Sequence, residues 1–325
     1  MNKELSILIP VYNSSENLCN FIEELIQIVS KKFKVFEIVM VDDCSKDNSW
    51  EKIKTLCSKY ENIKGIQLRK NVGQHNAIFS GLNYCEGEII VTMDDDGQNS
   101  PESIEDLVLE LKKGYDVCYA NYKVKKHNLF RRFGSFLNNI VASFLFKKPT
   151  NLILTSFRCF KKDIKNEILN HKSSYVYIDG LIFSITDNVS QIYVDHKERL
   201  YGKSNYTIIK LIGLWLKMAT GFSVLPLRVA SIFGIIFSLT SFAIIIWITF
   251  FRPISSEIPV GWTSLVVIII FLGGIQLLAL GLIGEYLGRA YLTLNNSPKY
   301  SEKKKIKCPI YLEVTLKFFL QPVFE

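Results

Sequence analysis

An apolar run ends in three consecutive carboxylates in the stretch Glu88-Ile89-Ile90-Val91-Thr92-Met93-Asp94-Asp95-Asp96-Gly97-Gln98. The apolar part predicts a strand that is buried on both faces. Because side chains alternate along an extended segment, Asp94, Asp96 and Gln98 are expected to point one way and Asp95 the other. Carboxylates at the end of a buried strand are costly unless a positive charge lies against them. The stretch therefore predicts a bound cation.

The residue types in this stretch indicate which cation. Two carboxylates and an amide oxygen form a hard, all-oxygen site that suits Mg²⁺ or Mn²⁺. Because the protein supplies only these few ligands, coordination positions on the cation stay open for phosphate oxygens. This predicts a divalent cation that carries a nucleotide diphosphate. The alternative is an acidic turn that caps a helix starting near Pro101. A calcium loop is excluded, because Gly97 at its sixth position would make Thr92 the first ligand.

Strands and helices alternate before this stretch. Strands are predicted at 5–9, 36–41 and 63–68, and helices at 17–30, 49–60 and 76–85. This alternation predicts an α/β fold with a mostly parallel sheet and helices on both faces.

Three polar segments fall where these predicted strands end. They are Pro10–Asn13, Asp42–Asp47 and Asp94–Gln98. Ligands of parallel sheets bind at the carboxyl ends of the strands, so this coincidence favours the cation–nucleotide interpretation over the capping one. The sequence has no G-x-G-x-x-G and no Walker A motif, so metal and side chains are expected to hold the phosphates.

The composition indicates a soluble part and a membrane part. The 325 residues are 48% hydrophobic although 22% are charged. The net charge of +8 suits a protein beside anionic lipid or on phosphorylated substrates, and no nucleic-acid motif accompanies it. Seven scattered cysteines without a C-x-x-C pair favour reduced thiols over disulfides or zinc. The first strand starts almost at once, so no signal peptide is expected.

Two long uncharged segments predict a transmembrane hairpin. Val229–Phe251 has 23 residues and Ile258–Gly284 has 27. At 1.5 Å per residue the shorter is roughly 34 Å long, enough for a hydrocarbon core of about 30 Å. Lysine and arginine crowd both outer ends, so the positive-inside rule places both termini in the cytosol.

Two further segments, at about 127–148 and 206–227, carry large apolar residues at helical spacing with basic flanks. They predict helices on the membrane surface, with a core helix as the alternative for the first. Arg131 and Arg132, near the start of the first segment, either grip a phosphate at the bilayer surface or anchor that helix. The predicted organisation is a catalytic domain at 1–205 and a juxtamembrane helix at 206–227. Two spans at 228–251 and 260–286 follow, and a basic tail at 287–325 ends the chain.

Several motifs occur in a characteristic order. They are Pro10-Val11-Tyr12-Asn13, Val41-Asp42-Asp43-x-Ser45-x-Asp47, Arg69-x-Asn71-x-Gly73-Gln74-His75, Asp94-x-Asp96-x-Gln98, His196-x-x-Arg199-x-x-Gly202-x-Ser204-x-Tyr206 and Gly281-Leu282-Ile283-Gly284-Glu285-Tyr286-Leu287-Gly288-Arg289. Together with two spans, this set resembles family 2 glycosyltransferases of the GT-A fold. It is most similar to bacterial undecaprenyl-phosphate glycosyltransferases, a group that includes formamido-arabinose and O-antigen glucosyl transferases and is related to dolichyl-phosphate mannose synthase.

The resemblance implies an activity. It implies inverting transfer of one sugar from a nucleotide sugar, of the UDP type, to a polyprenyl phosphate lipid. It also implies a multi-pass protein of the plasma (inner) membrane. The oligomeric state stays open, a homo-oligomer included.

The resemblance also implies roles for single residues. The residues expected at the base, ribose and donor phosphates are Pro10, Tyr12, Asp43, Asp95 and Lys123. The metal is expected on Asp94, Asp96 and Gln98, with Asp94, Asp96 and Arg199 as the catalytic set. Asp179 either contacts the sugar or acceptor or caps the following helix, and His75 is either a ligand or a hydrogen-bonding core residue.

Three positions depart from the family pattern. Ser14 replaces a common glutamate, Asn205 replaces a lysine, and the segment Thr155–Arg158 lacks an aspartate proposed as a base in relatives. This last departure leaves the identity of a general base open. A phosphate monoester has its second pKa near about 6, so at neutral pH the acceptor is largely its own anionic nucleophile. Two alternatives are a processive polysaccharide synthase, for which a Gln-x-x-Arg-Trp motif and further spans are missing, and a non-catalytic membrane scaffold with a degenerate transferase domain.

Overall fold

The computed structural model describes residues 3–122, 152–173, 175–194, 261–295 and 298–306, with short runs and single positions between 227 and 246. The predicted surface helix at 127–148, nearly all of the one at 206–227 and most of the first span lie outside the described residues. The predicted site residues Lys123, Arg131, Arg132 and Arg199 also lie outside them. The chain divides into two compact units, one of residues 1–204 with 298–325 and the other of residues 205–297.

In the first unit, strands and helices alternate in the predicted order. The elements are β1 (Leu5–Val11), α1 (Leu18–Val29), β2 (Phe36–Asp42), α2 (Ser49–Lys59), β3 (Ile63–Leu68), α3 (Gln74–Leu82), β4 (Ile89–Thr92), α4 (Ser103–Leu111), β5 (Val117–Tyr122), β6 (Arg158–Lys161), α5 (Lys162–Leu169), α6 (Ile178–Ile185), β7 (Val189–Val194) and β8 (Glu302–Ile306). The largest boundary difference up to β4 is at α3, which starts two residues and ends three residues before the predicted limits.

These strands form one sheet in the order β7-β5-β6-β4-β1-β2-β3-β8. The pairs β1–β2, β1–β4, β2–β3 and β5–β7 are parallel, whereas β6 and β8 run antiparallel to their neighbours. The prediction of a mostly parallel sheet is confirmed. The chain winds outward from β1 through β2 to β3 and then returns to β4 on the other side of β1. This reversal makes a switch point, where the carboxyl ends of β1 and β4 open a crevice.

Helix α3 lies close against the sheet and carries its first turn to that crevice. A Cβ atom added at Gly81 would meet the Cδ1 atom of Leu8 at 2.2 Å and the Cγ2 atom of Val41 at 2.8 Å. Only glycine permits this approach of helix to strands. The close packing fixes the position of Gln74, the first residue of α3.

The last strand was not predicted from the sequence. The segment Glu302–Ile306, within the predicted basic tail, pairs antiparallel with β3 at the edge of the sheet. Side chains hold it there as well, since the Tyr84 hydroxyl donates a hydrogen bond to Glu302 at 2.8 Å. The chain that leaves the second unit thus returns to the sheet of the first.

The second unit contains a long apolar helix, α7 (Trp262–Leu294). Its segment Phe271–Leu294 is the one helix of the described residues that is long and apolar enough to cross a membrane. Large side chains on it face outward, with Leu277 72% and Leu287 69% exposed. The helix starts two residues after the start of the second span as predicted at 260–286, and it continues eight residues beyond the end of that span.

Candidate functional site

The loops after β1 and β4 meet at the switch point through Asp95. One carboxylate oxygen of Asp95 accepts a hydrogen bond from the backbone N–H of Tyr12 at 3.2 Å. The hydroxyl of Ser14 donates to the same oxygen. Burial, together with Asp94 and Asp96, raises the pKa of Asp95 to about 6 although Ser14 and Tyr12 donate to it. Asp95 therefore connects the two loops across the crevice.

Asp94 points to other partners. Its Oδ1 atom accepts a hydrogen bond from Gln74 Nε2 at 2.6 Å, and its Oδ2 atom accepts one from the Ser156 hydroxyl at 2.5 Å. Burial raises the pKa of Asp94, and the neighbouring charge of Asp96 acts in the same direction against the hydrogen bond from Ser156. Each carboxylate oxygen has two acceptor positions, so both oxygens of Asp94 keep one free.

The turn after Asp96 depends on a glycine. Gly97 has φ +71°, a left-handed conformation that residues with a Cβ adopt at a cost. The turn brings the backbone N–H of Gln98 within 3.1 Å of the Asp96 Oδ1 atom. Asp94, Asp96 and Gln98, the three predicted metal ligands, thus lie in one short loop at the crevice.

The end of β2 forms the other wall. The two oxygens of Asp43, which is 3% exposed, accept hydrogen bonds from the backbone N–H groups of Val72 and Gly73 at 2.8 Å each. Burial raises the pKa of Asp43 against these two bonds. Asp43 thereby fixes the loop that leads into α3, and each of its oxygens keeps an acceptor position for a ligand hydroxyl.

The residues predicted to contact the base differ in exposure. Tyr12 is 45% exposed, so its ring is available for stacking. Pro10 is buried within β1 and pairs with Val41 of β2. Asn13, with φ 53°, holds the loop after β2 by accepting a hydrogen bond from the backbone N–H of Lys46 at 2.8 Å.

The donor set can be tested against a divalent cation. Among the described residues no three His, Cys, Asp or Glu side chains converge into a preformed metal site. Asp94 and Asp96 with the Gln98 amide would supply two carboxylates and one neutral oxygen, which leaves places for diphosphate and water as Mg²⁺ requires. Burial and the neighbouring charge of Asp96 raise the pKa of Asp94, and a bound cation would stabilise such a carboxylate in its charged form. The residues present therefore fit such an ion.

Asp179, one of the residues predicted on the acceptor side, is buried. It is 6% exposed, forms an ion pair with Arg158 and accepts a hydrogen bond from the Tyr119 hydroxyl at 2.9 Å. Asp179 stands in the first turn of α6, and its carboxylate is engaged with Arg158 and Tyr119 inside the protein. A contact of Asp179 with the sugar or acceptor stays a prediction.

His75, which is half-buried, makes a hydrogen bond within the protein. Its Nδ1 atom accepts a hydrogen bond from the backbone N–H of Ile178 at 3.3 Å, and its ring lies edge-on to Tyr177 at 4.7 Å. Burial lowers the pKa of His75 to about 4, with a further contribution from the charge of Arg158 against that of Asp179. A neutral imidazole is what this acceptor role requires.

Three contacts of the site were missed at the sequence level: those of Ser14, Gln74 and Ser156 with the acidic loop. All three residues stand in motifs that were noticed for other reasons. Ser14 and Ser156 were treated as departures from the family pattern, yet each donates a hydrogen bond to an aspartate of the triplet. Nothing in the local sequence around these residues predicts the contacts, because each partner lies far away along the chain.

A sheet of this order with carboxylates at the switch point is the GT-A arrangement. The family model of glycosyl transferase family 2 matches residues 6–171 of this chain. The chain belongs to this family, and it is a glycosyltransferase.

Individual members of the family are similar to this chain over most of its length. The undecaprenyl-phosphate 4-deoxy-4-formamido-L-arabinose transferase of Yersinia enterocolitica is 32% identical over 308 residues, which cover 94% of each chain. The corresponding protein of Proteus mirabilis is 30% identical over 93% of this chain and 94% of its own. A crystal structure of a mycobacterial protein has a TM-score of 0.50 at 14% identity, over 67% of this chain and 73% of that one, which agrees with the fold.

Proposed function

We propose that this glycosyltransferase moves one sugar from a nucleotide-diphosphate sugar to a polyprenyl phosphate. The observation that carries the proposal is the acidic loop at the switch point, where Asp94, Asp95 and Asp96 crowd together against the ends of β1 and α3. Similarity over 94% of the chain to a transferase named for undecaprenyl phosphate supports the acceptor class.

The crevice suits a nucleotide. Tyr12 offers an exposed ring on which a base can stack. Asp43, held by the loop before α3, offers acceptor positions for ribose hydroxyls. Asp95 joins the two walls behind them. We infer that these three residues bind the nucleoside and that Lys123 binds the donor phosphates.

Asp94, Asp96 and Gln98 would hold a divalent cation, Mg²⁺ or Mn²⁺. When bound, the ion neutralises the diphosphate that leaves the sugar. The protein prepares the carboxylates for this task. Gln74 and Ser156 fix both oxygens of Asp94, and the Gly97 turn orients Asp96. Such fixed dipoles need no rearrangement during the reaction.

The acceptor phosphate supplies its own nucleophile. With a second pKa near about 6, it is largely dianionic at neutral pH, so a general base is not required. The protein's contribution is alignment of the phosphate with the sugar carbon. We assign Arg199 to the phosphates at the reacting centre, and Arg131 and Arg132 to the acceptor side.

The membrane is the natural place for this acceptor. Helix α7 offers an apolar segment, Phe271–Leu294, of sufficient length to hold the enzyme at the lipid surface where a polyprenyl phosphate resides. We propose a two-span hairpin with the catalytic unit and both termini in the cytosol.

Transfer by the purified full-length protein in detergent tests the proposal. The protein is incubated with undecaprenyl phosphate, a panel of UDP-sugars and either Mg²⁺ or Mn²⁺, and the lipid products are identified by mass spectrometry. One lipid-linked sugar is expected. Its formation should stop with a chelator and fall by at least about 10²-fold in Asp96→Asn, since loss of one charge-stabilising group costs about that much.

Asp106→Asn is the matched control. Asp106 is an exposed carboxylate in the first turn of α4, and it is not among the residues predicted to bind the metal or the donor. Its variant should keep the wild-type rate. Sugar transfer that survives both chelation and Asp96→Asn would refute the metal role, and the absence of any lipid product across the donor panel would refute the acceptor class.

A further inference from the structure

Arg158 is a charged residue in the protein interior. It is the first residue of β6, lies opposite Thr92 of β4 and is 1% exposed. Its Nε–H group is buried and has no hydrogen-bond partner among the described residues. Burying a guanidinium is costly, and an apolar residue in such a place is often equally stable or better. Stability alone therefore does not account for a cation here.

The counter-ion of Arg158 is Asp179, in the first turn of α6. Tyr119 of β5 adds to the pair, since its hydroxyl donates to the same Asp179 oxygen at 2.9 Å and its ring centre lies 5.6 Å from the guanidinium carbon. The pair thus ties β5, β6 and α6 together beneath the crevice.

Both side chains that hold Asp94 are connected to this ion pair. Ser156, which donates to one oxygen of Asp94, stands two residues before Arg158 on the same segment. Its carbonyl is held in turn by the hydroxyl of Thr92 at 2.7 Å. The position of Arg158 therefore sets the segment that presents the Ser156 hydroxyl.

The second connection runs through α6. The residue before Asp179, Ile178, donates its backbone N–H to His75 at 3.3 Å. His75 follows Gln74 in the first turn of α3, and Gln74 donates to the other oxygen of Asp94 at 2.6 Å. One end of the ion pair is thus linked to Ser156 and the other end to Gln74.

We propose that Arg158 and Asp179 form a positioning pair that holds Ser156 and Gln74 on Asp94 and so keeps this carboxylate oriented for a divalent cation. Neither residue touches the ligand. The inference rests on the proposed function, because it concerns the same cation site. It predicts that the pair is needed for cation affinity rather than for folding.

A double variant, Arg158→Met with Asp179→Leu, removes both charges and leaves apolar groups of similar size. Replacement of a whole buried pair is usually tolerated by the fold. Mn²⁺ is titrated calorimetrically into the full-length protein in detergent, with and without UDP, and Tm is measured in the absence of metal. We expect cooperative melting at a somewhat lower Tm, because the buried Tyr119 hydroxyl loses its acceptor. We also expect at least about tenfold weaker Mn²⁺ binding, which corresponds to the loss of one hydrogen bond to a charged group. At saturating Mn²⁺ the transfer rate should recover.

A second ion pair between neighbouring elements supplies the matched control. Lys161, at the other end of β6, contacts Asp116 just before β5 at 2.8 Å. Lys161→Met with Asp116→Leu removes an ion pair from the same strand without touching the path to Asp94. Its Mn²⁺ affinity should equal that of the wild type.

The outcomes separate the two proposals. Weaker Mn²⁺ binding in the Arg158/Asp179 variant alone supports the positioning role. Wild-type affinity in that variant, or equal weakening in both double variants, overturns it and leaves the proposed function standing. A wild-type protein that binds no Mn²⁺ with or without UDP overturns both. If the double variant does not melt cooperatively, Arg158→Lys replaces it in the test. Weaker Mn²⁺ binding by Arg158→Lys at the wild-type Tm would support the positioning role, and unchanged Mn²⁺ binding would refute it.

Discussion

Glu37→Gln is the substitution with the largest expected effect on folding. Glu37 of β2 is fully buried, and its carboxylate lies at the end of the sheet opposite the crevice. It accepts bonds from the Lys3 ammonium at 2.7 Å, the Lys64 ammonium at 2.8 Å and the Ser6 hydroxyl at 2.6 Å. The backbone N–H of Glu86 donates to it as well, at 2.6 Å.

The size of the expected destabilisation follows from the lysine charges that lose their partner in Glu37→Gln. Removing one member of a buried ion pair typically costs 3–5 kcal/mol, because the partner charge stays buried. Lys3 and Lys64 are partly exposed, and both keep a bond to Glu86. We therefore expect Glu37→Gln to lower the free energy of unfolding by about 3 kcal/mol, the lower end of this range. For a unit of this size that corresponds to a Tm decrease of about 6–12 °C.

The effect should depend on pH. Burial alone would raise the pKa of Glu37, but hydrogen bonds from Lys3, Lys64 and Ser6 lower it below its usual value. Because the pKa is lower in the folded than in the unfolded protein, the charged carboxylate stabilises the fold at pH values above its unfolded-state pKa of about 4.3. This stabilisation is lost as the pH falls through the folded-state pKa. The difference in Tm between the wild type and Glu37→Gln should be constant from about pH 5 to 7 and narrow below about pH 4.

Melting curves of the full chain in detergent, followed by circular dichroism, provide the assay. Glu88→Gln is the control, since Glu88 pairs with Lys162 at 2.8 Å but is exposed. An exposed pair contributes about 0–1 kcal/mol, so this Tm should change little. The reasoning is refuted if Glu37→Gln melts as the wild type does, or if both variants lose the same amount.

Three further predictions concern the site and the sheet edge. Ser14→Ala removes a hydrogen bond to the charged Asp95 and should raise the donor KM about tenfold in steady-state assays, whereas Ser14→Thr should not. Gly97→Ala and Gly114→Ala each place a Cβ at positive φ, so each should lower the free energy of unfolding by about 1–2 kcal/mol, as measured by melting curves. Only Gly97→Ala should also slow sugar transfer. A chain that ends at Tyr300 loses β8 and exposes the β3 edge, so it should melt at a lower temperature and aggregate in size-exclusion chromatography.

The first half of the fold could be predicted because its strands are apolar runs buried on both faces. In β1, β2 and β4 nearly every residue is buried, and the helices between them have clear periodicity. Strand β8 could not be predicted in this way. Glu302-Lys303-Lys304-Lys305-Ile306 has the composition of a solvated tail, and main-chain bonds to β3 make it a strand.

The acidic loop of the site was predictable, but its partners were not. Three aspartates after a buried strand are visible in the sequence. Ser14, Gln74 and Ser156, which orient two of them, lie 20 to 81 positions away along the chain. No local pattern distinguishes such hydroxyl and amide groups from surface residues. The ion pair of Asp179 was not predictable for a related reason, since its buried partner Arg158 is also distant in sequence.

The most direct test of the central claim is the position of a bound cation. Crystals of the full-length protein grown with Mn²⁺ and UDP would show manganese by anomalous scattering. We predict one peak at a coordination distance of about 2 Å from the carboxylates of Asp94 and Asp96, with the diphosphate on its open side. A peak elsewhere, or UDP bound in the crevice while both carboxylates hold no ion, would contradict the account.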